Sequence, residues 1–185
     1  MEILPIFVEQ SNGIYAIRRD GESLDALEIL QDCWCNPEYV YEFFKANRQL
    51  LDQARYRDYT VQEAAIKTLE DAVILFDQLE TYSHSGFESN EQNLSDFFAP
   101  LHKNETNLPP YQASKAYGVQ IKNSWLRLYA IRLDVNCYII TGGGIKLVNA
   151  MQDVPYLAEQ LEYLAQTQRY LEKNQVLFPE DLNQI

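Results

Sequence analysis

The 185-residue chain is 46% hydrophobic and 23% charged, enough for one domain with a real core. No apolar run approaches the roughly 20 residues of a membrane-spanning helix, and a net charge of −12 makes a poor general polyanion binder. Three cysteines, an odd number, and an N-terminus, MEILPIFVEQ, without a basic region or cleavage pattern lead us to expect a reduced, cytoplasmic protein with no membrane partner.

In chain order, Ile3 to Glu9 and Gly13 to Arg19 read as two short strands, and Asn12-Gly13 offers residues that tolerate the positive φ of a hairpin. From Ser23, a candidate cap, Leu24, Leu27, Leu30 and Trp34 fall on one helical side. Asn36-Pro37 is a second helix start, with Val40, Phe43, Phe44, Asn47, Leu51 and Ala54 on one face. Thr60-Val61-Gln62-Glu63 matches a capping box and opens a third helix to about Thr81, with Ala65, Leu69, Ala72, Phe76 and Leu79 as its stripe. Tyr82 to Asn93 reads as a loop, and Leu94, Phe97, Phe98 and Leu101 as one short amphipathic turn or helix ending near Pro100. Residues 103–124, with Pro109-Pro110 and Gly118, read as a linker. Two strands follow, near Leu126–Leu133 and Asn136–Thr141, with a short third expected at Ile145–Val148. Pro155 opens a closing helix carrying Leu157, Leu161, Leu164 and Leu171, and residues 174–185 read as a loosely held tail. YAIRRD at Tyr15–Asp20 is echoed by YAIRLD at Tyr129–Asp134, five of six positions, too short for duplicated domains. The expected architecture is a single α+β domain. A small, mainly antiparallel sheet carries an acidic helical block (residues 22–101) and a closing C-terminal helix (residues 125–173 holding the last strands and that helix).

Charge is uneven. Residues 1–102 hold 7 basic and 19 acidic side chains, whereas 103–173 hold 8 basic and 6 acidic. Thr141-Gly142-Gly143-Gly144-Ile145-Lys146 lacks the spacing of a phosphate-binding loop, so a bulge or tight turn is expected, with close approach to a ligand as the alternative. His84 and His102 read as surface residues, and Cys137 as inert core. Cys33 and Cys35 lack the second pair of a structural zinc site, so we expect neither metal nor other cofactor. What remains is a basic set: Lys115, Lys122, Arg127, Arg132, Lys146 and Arg169, with Tyr129 and Tyr138 as stacking or hydroxyl partners. Such groups bind a phosphodiester and stabilise charge on its oxygens.

The strand LRLYAIRLD, the strand CYIITGGG, Ile145-Lys146-Leu147, Met151, Pro155 and the Leu-rich helix ending Arg169-Tyr170-Leu171 resemble the C-terminal half of RelE/ParE/HigB-like toxins, over about residues 125–171. The resemblance implies a compact sheet with flanking helices and a metal-independent, ribosome-associated mRNA endonuclease held in check by an antitoxin-like partner. By positional match it implies catalysis by Arg127 and Lys146, then Arg132, with Arg169 toward the RNA; the basic set read from the residues adds Lys115, Lys122 and Tyr129 as RNA-binding groups. The family's members are small and basic, unlike this chain, so a degenerate member without activity is equally implied. The alternative is a non-catalytic interaction module that binds a protein through its acidic helices.

Overall fold

The computed structural model describes residues 1–53, 56–88, 92–102 and 111–185. Ala54 and Pro109-Pro110, named above, lie outside them. Strands β1 (Glu2–Glu9), β2 (Asn12–Arg18), β3 (Ala99–Pro100), β4 (Gln112–Ala116), β5 (Leu126–Asp134) and β6 (Cys137–Ile145) form one sheet, ordered β1-β2-β6-β5-β4-β3. Only β2 and β6 pair in parallel, so the fold is α+β with a mostly antiparallel sheet. The helices are α1 (Ala26–Trp34), α2 (Pro37–Ala46), α3 (Arg48–Leu51), α4 (Val61–Glu88), α5 (Leu94–Phe97) and α6 (Pro155–Lys173).

Side chains alternate across a strand, and the glycines of β6 show what covers each face. A Cβ on Gly143 would meet Trp34 and Leu30 of α1, whereas one on Gly144 would meet Leu157 of α6, and one on Gly142 Gln160 of α6. The acidic helices therefore cover one face and α6 the other. The core between them includes Leu128, Ala130, Ile139 and Ile140, all fully buried.

Local chemistry explains most helix starts. Asn36 Oδ1 accepts from Glu38 N (3.0 Å) and Tyr39 N (3.2 Å), as Asn-Pro predicts. Thr60 N donates to Glu63 Oε2 (2.8 Å) while Glu63 N donates to Thr60 Oγ1 (3.2 Å), closing the expected box. The Thr60 N–H, together with the Thr60 hydroxyl that also donates to Oε2 (2.7 Å), holds the Glu63 carboxyl below its usual range. The first helix is capped later than expected: Asp25, not Ser23, accepts from Leu27 N (2.8 Å) and Glu28 N (3.0 Å).

Several boundaries differ from expectation. The first hairpin turns at Gln10 (φ 46°) and Ser11 (φ 68°), two residues ahead of the Asn12-Gly13 signal. Helix α4 runs on through residues 82–88, read as loop, because Ser83 Oγ donates to Phe7 O (3.2 Å) and anchors the extra turns on β1. Gly86 is tolerated there since a Cβ would strike the Asn136 side chain at 2.2 Å. The stretch read as a linker contributes β4, paired to β5 from Gln112↔Arg132 to Ala116↔Leu128. The glycines lie inside β6 and not in a turn; of the expected bulge or turn it is the bulge that occurs, since the register shifts between Tyr129↔Gly142 and Ala130↔Ile140. Ile145–Val148 forms no separate strand. The tail is held as well: Val176 is fully buried, and residues Pro179–Gln184 make a 3-10 turn that buries Leu182.

The echoed motifs become β2 and β5. They flank β6 on opposite sides, Tyr15 and Ile131 both opposite Ile139, so the shared pattern reflects two strands suited to the same central neighbour.

Candidate functional site

Trp125 sets the position of the site. Its indole is fully buried against Phe44, Tyr56 and Tyr59 at 5.3–5.5 Å between ring centroids. Its Nε1 donates to Thr68 Oγ1 of α4 at 2.7 Å. The Trp125 carbonyl accepts from Lys146 N at 2.7 Å, tying the start of β5 to the end of β6. Arg127 and Lys146 both leave from this junction.

The register Lys115↔Tyr129↔Gly142 and Arg127↔Gly144 puts Lys115, Arg127 and Tyr129 on the α6 face of the sheet. There they line a cleft of about 840 Å³ together with Lys146. Its other walls come from Ala99–His102, from the loop Tyr117–Ser124, from Asn149–Gln152 and from Leu161 of α6. The described lining thus contributes three cations and His102, with no carboxylate among them.

Backbone oxygens orient each cation. Lys115 Nζ donates to Leu101 O at 2.6 Å. Arg127 Nη1 donates to Ser124 O (2.9 Å) and Leu126 O (2.6 Å), and its guanidinium lies 5.0 Å from the centre of the Tyr117 ring. Lys146 Nζ donates to Val148 O (2.6 Å) and to Asn149 O. These bonds to backbone oxygens fix the geometry of the ammonium and guanidinium groups.

Tyr129 is the unusual member. It is 1% exposed, and its hydroxyl is buried without a hydrogen-bond partner. Burial pushes its pKa well above the ordinary phenol range, against the opposing pull of the Arg127 charge, so it stands as a neutral donor. Tyr156, beside it on α6, is likewise pushed up to about 12 by burial, but its hydroxyl is satisfied by Ile145 O at 2.9 Å. Orphaned buried hydroxyls are rare and costly, and this one sits in the wall of a cation-lined cleft.

Four of the eight residues singled out from the sequence, Lys115, Arg127, Tyr129 and Lys146, come together here. Four do not. Arg132 lies five residues from Arg127, and strand alternation turns it to the opposite face, where it bonds the Tyr138 hydroxyl. Tyr138 itself stacks on Phe98 at 4.6 Å and meets Ser95, away from the cleft. Arg169 is exposed on α6, paired with Glu162 at 2.8 Å, about 12 Å along the helix from Leu161. Lys122 is exposed on the loop beside the cleft, and its carbonyl accepts from Lys67 Nζ at 3.2 Å. The residues that sequence reasoning missed are Tyr117, Met151 as a wall, and His102, which was read as plain surface. No periodic or motif signal marked Tyr117 or His102, and Met151 entered only as part of the resemblance.

Among the described residues no group of three His, Cys, Asp or Glu side chains could hold a metal ion, and no helix is long and apolar enough to cross a membrane. The chain matched no family model, no curated protein and no solved structure.

Proposed function

We propose that the cleft binds the sugar–phosphate backbone of an RNA strand, and that the chain is a RelE/HigB-like toxin relative acting on mRNA at the ribosome. The observation that carries this reading is convergence: β4, β5 and the segment after β6 deliver Lys115, Arg127, Tyr129 and Lys146 to one cavity. The resemblance over residues 125–171 supports the choice of RNA. Cations and a neutral phenol held in a recess suit a phosphodiester oxygen better than they suit bulk water, because local dielectric screening is weaker there. In the reaction this predicts, the RNA 2′-hydroxyl loses its proton and attacks phosphorus while the bond to the 5′-oxygen breaks. The 5′-oxygen takes up a proton, leaving a 2′,3′-cyclic phosphate and a 5′-hydroxyl. Arg127, Lys146 and Lys115 stabilise the extra negative charge of the pentacoordinate state. The net charge of −12 works against long-range capture of RNA. Selectivity therefore rests on short-range contacts within the cleft.

The test is to incubate the folded protein with free RNA, with ribosome-bound mRNA and with DNA of the same sequence. The wild type is expected to cut RNA to cyclic-phosphate ends and to leave DNA intact, and Arg127→Ala/Lys146→Ala to lose that activity while staying folded. Folded wild type that neither binds nor cuts either RNA sinks the proposal.

A second reading, a module that binds a protein through its acidic helices, has one observation in its favour. The outer face of α4 exposes Ile66 (49%), Val73 (54%) and Ile74 (45%) among the exposed carboxylates Glu63, Glu70 and Asp77. An apolar stripe bordered by acids fits a basic amphipathic segment. If RNA binding fails, that face is where a partner belongs.

A further inference from the structure

The cleft holds more than cations. Tyr117 stands at its mouth with 46% of its surface open, and one side of its ring is covered by the Arg127 guanidinium. The loop that carries it is pinned. Gln78 of α4 grips Val119 from both sides, accepting from its N–H at 2.7 Å and donating to its carbonyl at 2.9 Å. Gly118 takes φ +81°, and a Cβ there would strike Ile121 Cδ1 at 2.1 Å, so the chain turns tightly just after Tyr117. Lys67 fixes the far end of the loop through Lys122 O. A large, exposed aromatic on a braced loop costs little further entropy when something stacks on it. Ile121, Met151 and Leu161 add apolar wall nearby.

We propose that Tyr117 is a stacking platform for a nucleobase, so that the cleft recognises a nucleotide unit, ring and phosphate together, rather than phosphate alone. This rests on the reading of Lys115, Arg127, Lys146 and Tyr129 as the phosphate end of the same cleft. The buried, unpartnered Tyr129 hydroxyl marks that end as built for an acceptor, and Arg127 links the two ends, its guanidinium lying over the Tyr117 ring. A volume of about 840 Å³ lies within the usual range for small-molecule sites and leaves space for a base beside its phosphate. Stacking tolerates every base, since each has a π face, so the site discriminates ring from no ring more than base from base.

Isothermal titration of the full chain tests this with uridine and adenosine 5′-monophosphates, ribose 5-phosphate, inorganic phosphate and the dinucleotide UpA. The nucleotides are expected to bind about tenfold or more tightly than ribose 5-phosphate. Tyr117→Leu should erase that margin while leaving ribose 5-phosphate affinity within about twofold, and Tyr117→Phe should keep it. Equal wild-type affinity for nucleotides and ribose 5-phosphate overturns the ring subsite and leaves the phosphate site standing. A margin that survives Tyr117→Leu overturns the assignment to Tyr117. Failure of all five compounds to bind overturns this inference and the phosphate reading together. UpA binding more tightly than either mononucleotide supports RNA as the source of the unit; no gain supports a free nucleotide and overturns the RNA reading alone.

Discussion

Tyr129→Phe separates a group kept for function from one kept for stability. The hydroxyl lies in a residue that is 1% exposed, and it has no hydrogen-bond partner. Phenylalanine fills the same volume without it. A buried polar group left unsatisfied costs about 1–3 kcal/mol, so removing the hydroxyl should stabilise the ligand-free protein by about that much. For a chain of this length each kcal/mol moves the melting temperature by about 2–4 °C, giving a rise of roughly 2–12 °C. Binding should move the other way. A hydrogen bond from a neutral phenol to an anionic oxygen contributes about 1.5–3 kcal/mol, so Phe should weaken phosphate or RNA binding roughly ten- to a hundredfold. Urea unfolding followed by far-ultraviolet circular dichroism gives the first quantity, and titration with ligand the second. A variant less stable than wild type by more than about 0.5 kcal/mol would show that the hydroxyl is satisfied in the free protein. Unchanged binding would remove it from the site.

Two further outcomes follow from the packing. A Cβ on Gly143 would lie 2.7 Å from the Arg127 carbonyl and 2.8 Å from the Trp34 ring, whereas on Gly144 the nearest atom is the flexible Leu157 Cδ2. Gly143→Ala should therefore cost about 1–3 kcal/mol and Gly144→Ala clearly less, as read from chemical denaturation midpoints; equal costs would contradict the packing described. Burial pushes Tyr15 and Tyr156 from the ordinary 10.0 up to about 12. Because the folded state holds these protons more tightly, their contribution to stability is complete below about pH 10 and is lost as pH rises toward 12. Tyrosinate absorbance should show an early exposed group and a late step that coincides with loss of helical signal. Ionisation of all 13 tyrosines near pH 10 with the helices intact would refute this.

The sequence exposed those parts of the fold governed by local chemistry. Asn36-Pro37 and the Thr60–Glu63 box mark helix starts by bonds between near neighbours, and both occur as expected. Parts governed by distant contacts were hidden. Nothing within residues 82–88 announces a helix, because what extends α4 is Ser83 reaching Phe7 and Gly86 making way for Asn136. The triple glycine announced a bulge or a tight turn without deciding between them. The bulge occurs beside Gly142, where the β5–β6 register shifts, whereas Gly143 and Gly144 are small because α1 and α6 press on opposite faces of β6 at that point. Strand alternation bears on the site itself. Once LRLYAIRLD is a strand, Arg127 and Tyr129 share a face while Arg132, an odd number of positions away, takes the other. Arg132 was therefore separable from Arg127 by strand parity alone. That Lys115 and Lys146 join Arg127 was not, since it depends on the register of β4 and on the carbonyl of Trp125 drawing in the backbone of Lys146. The cleft is a product of tertiary pairing, and a pattern search along one strand recovers only the half of it that β5 carries.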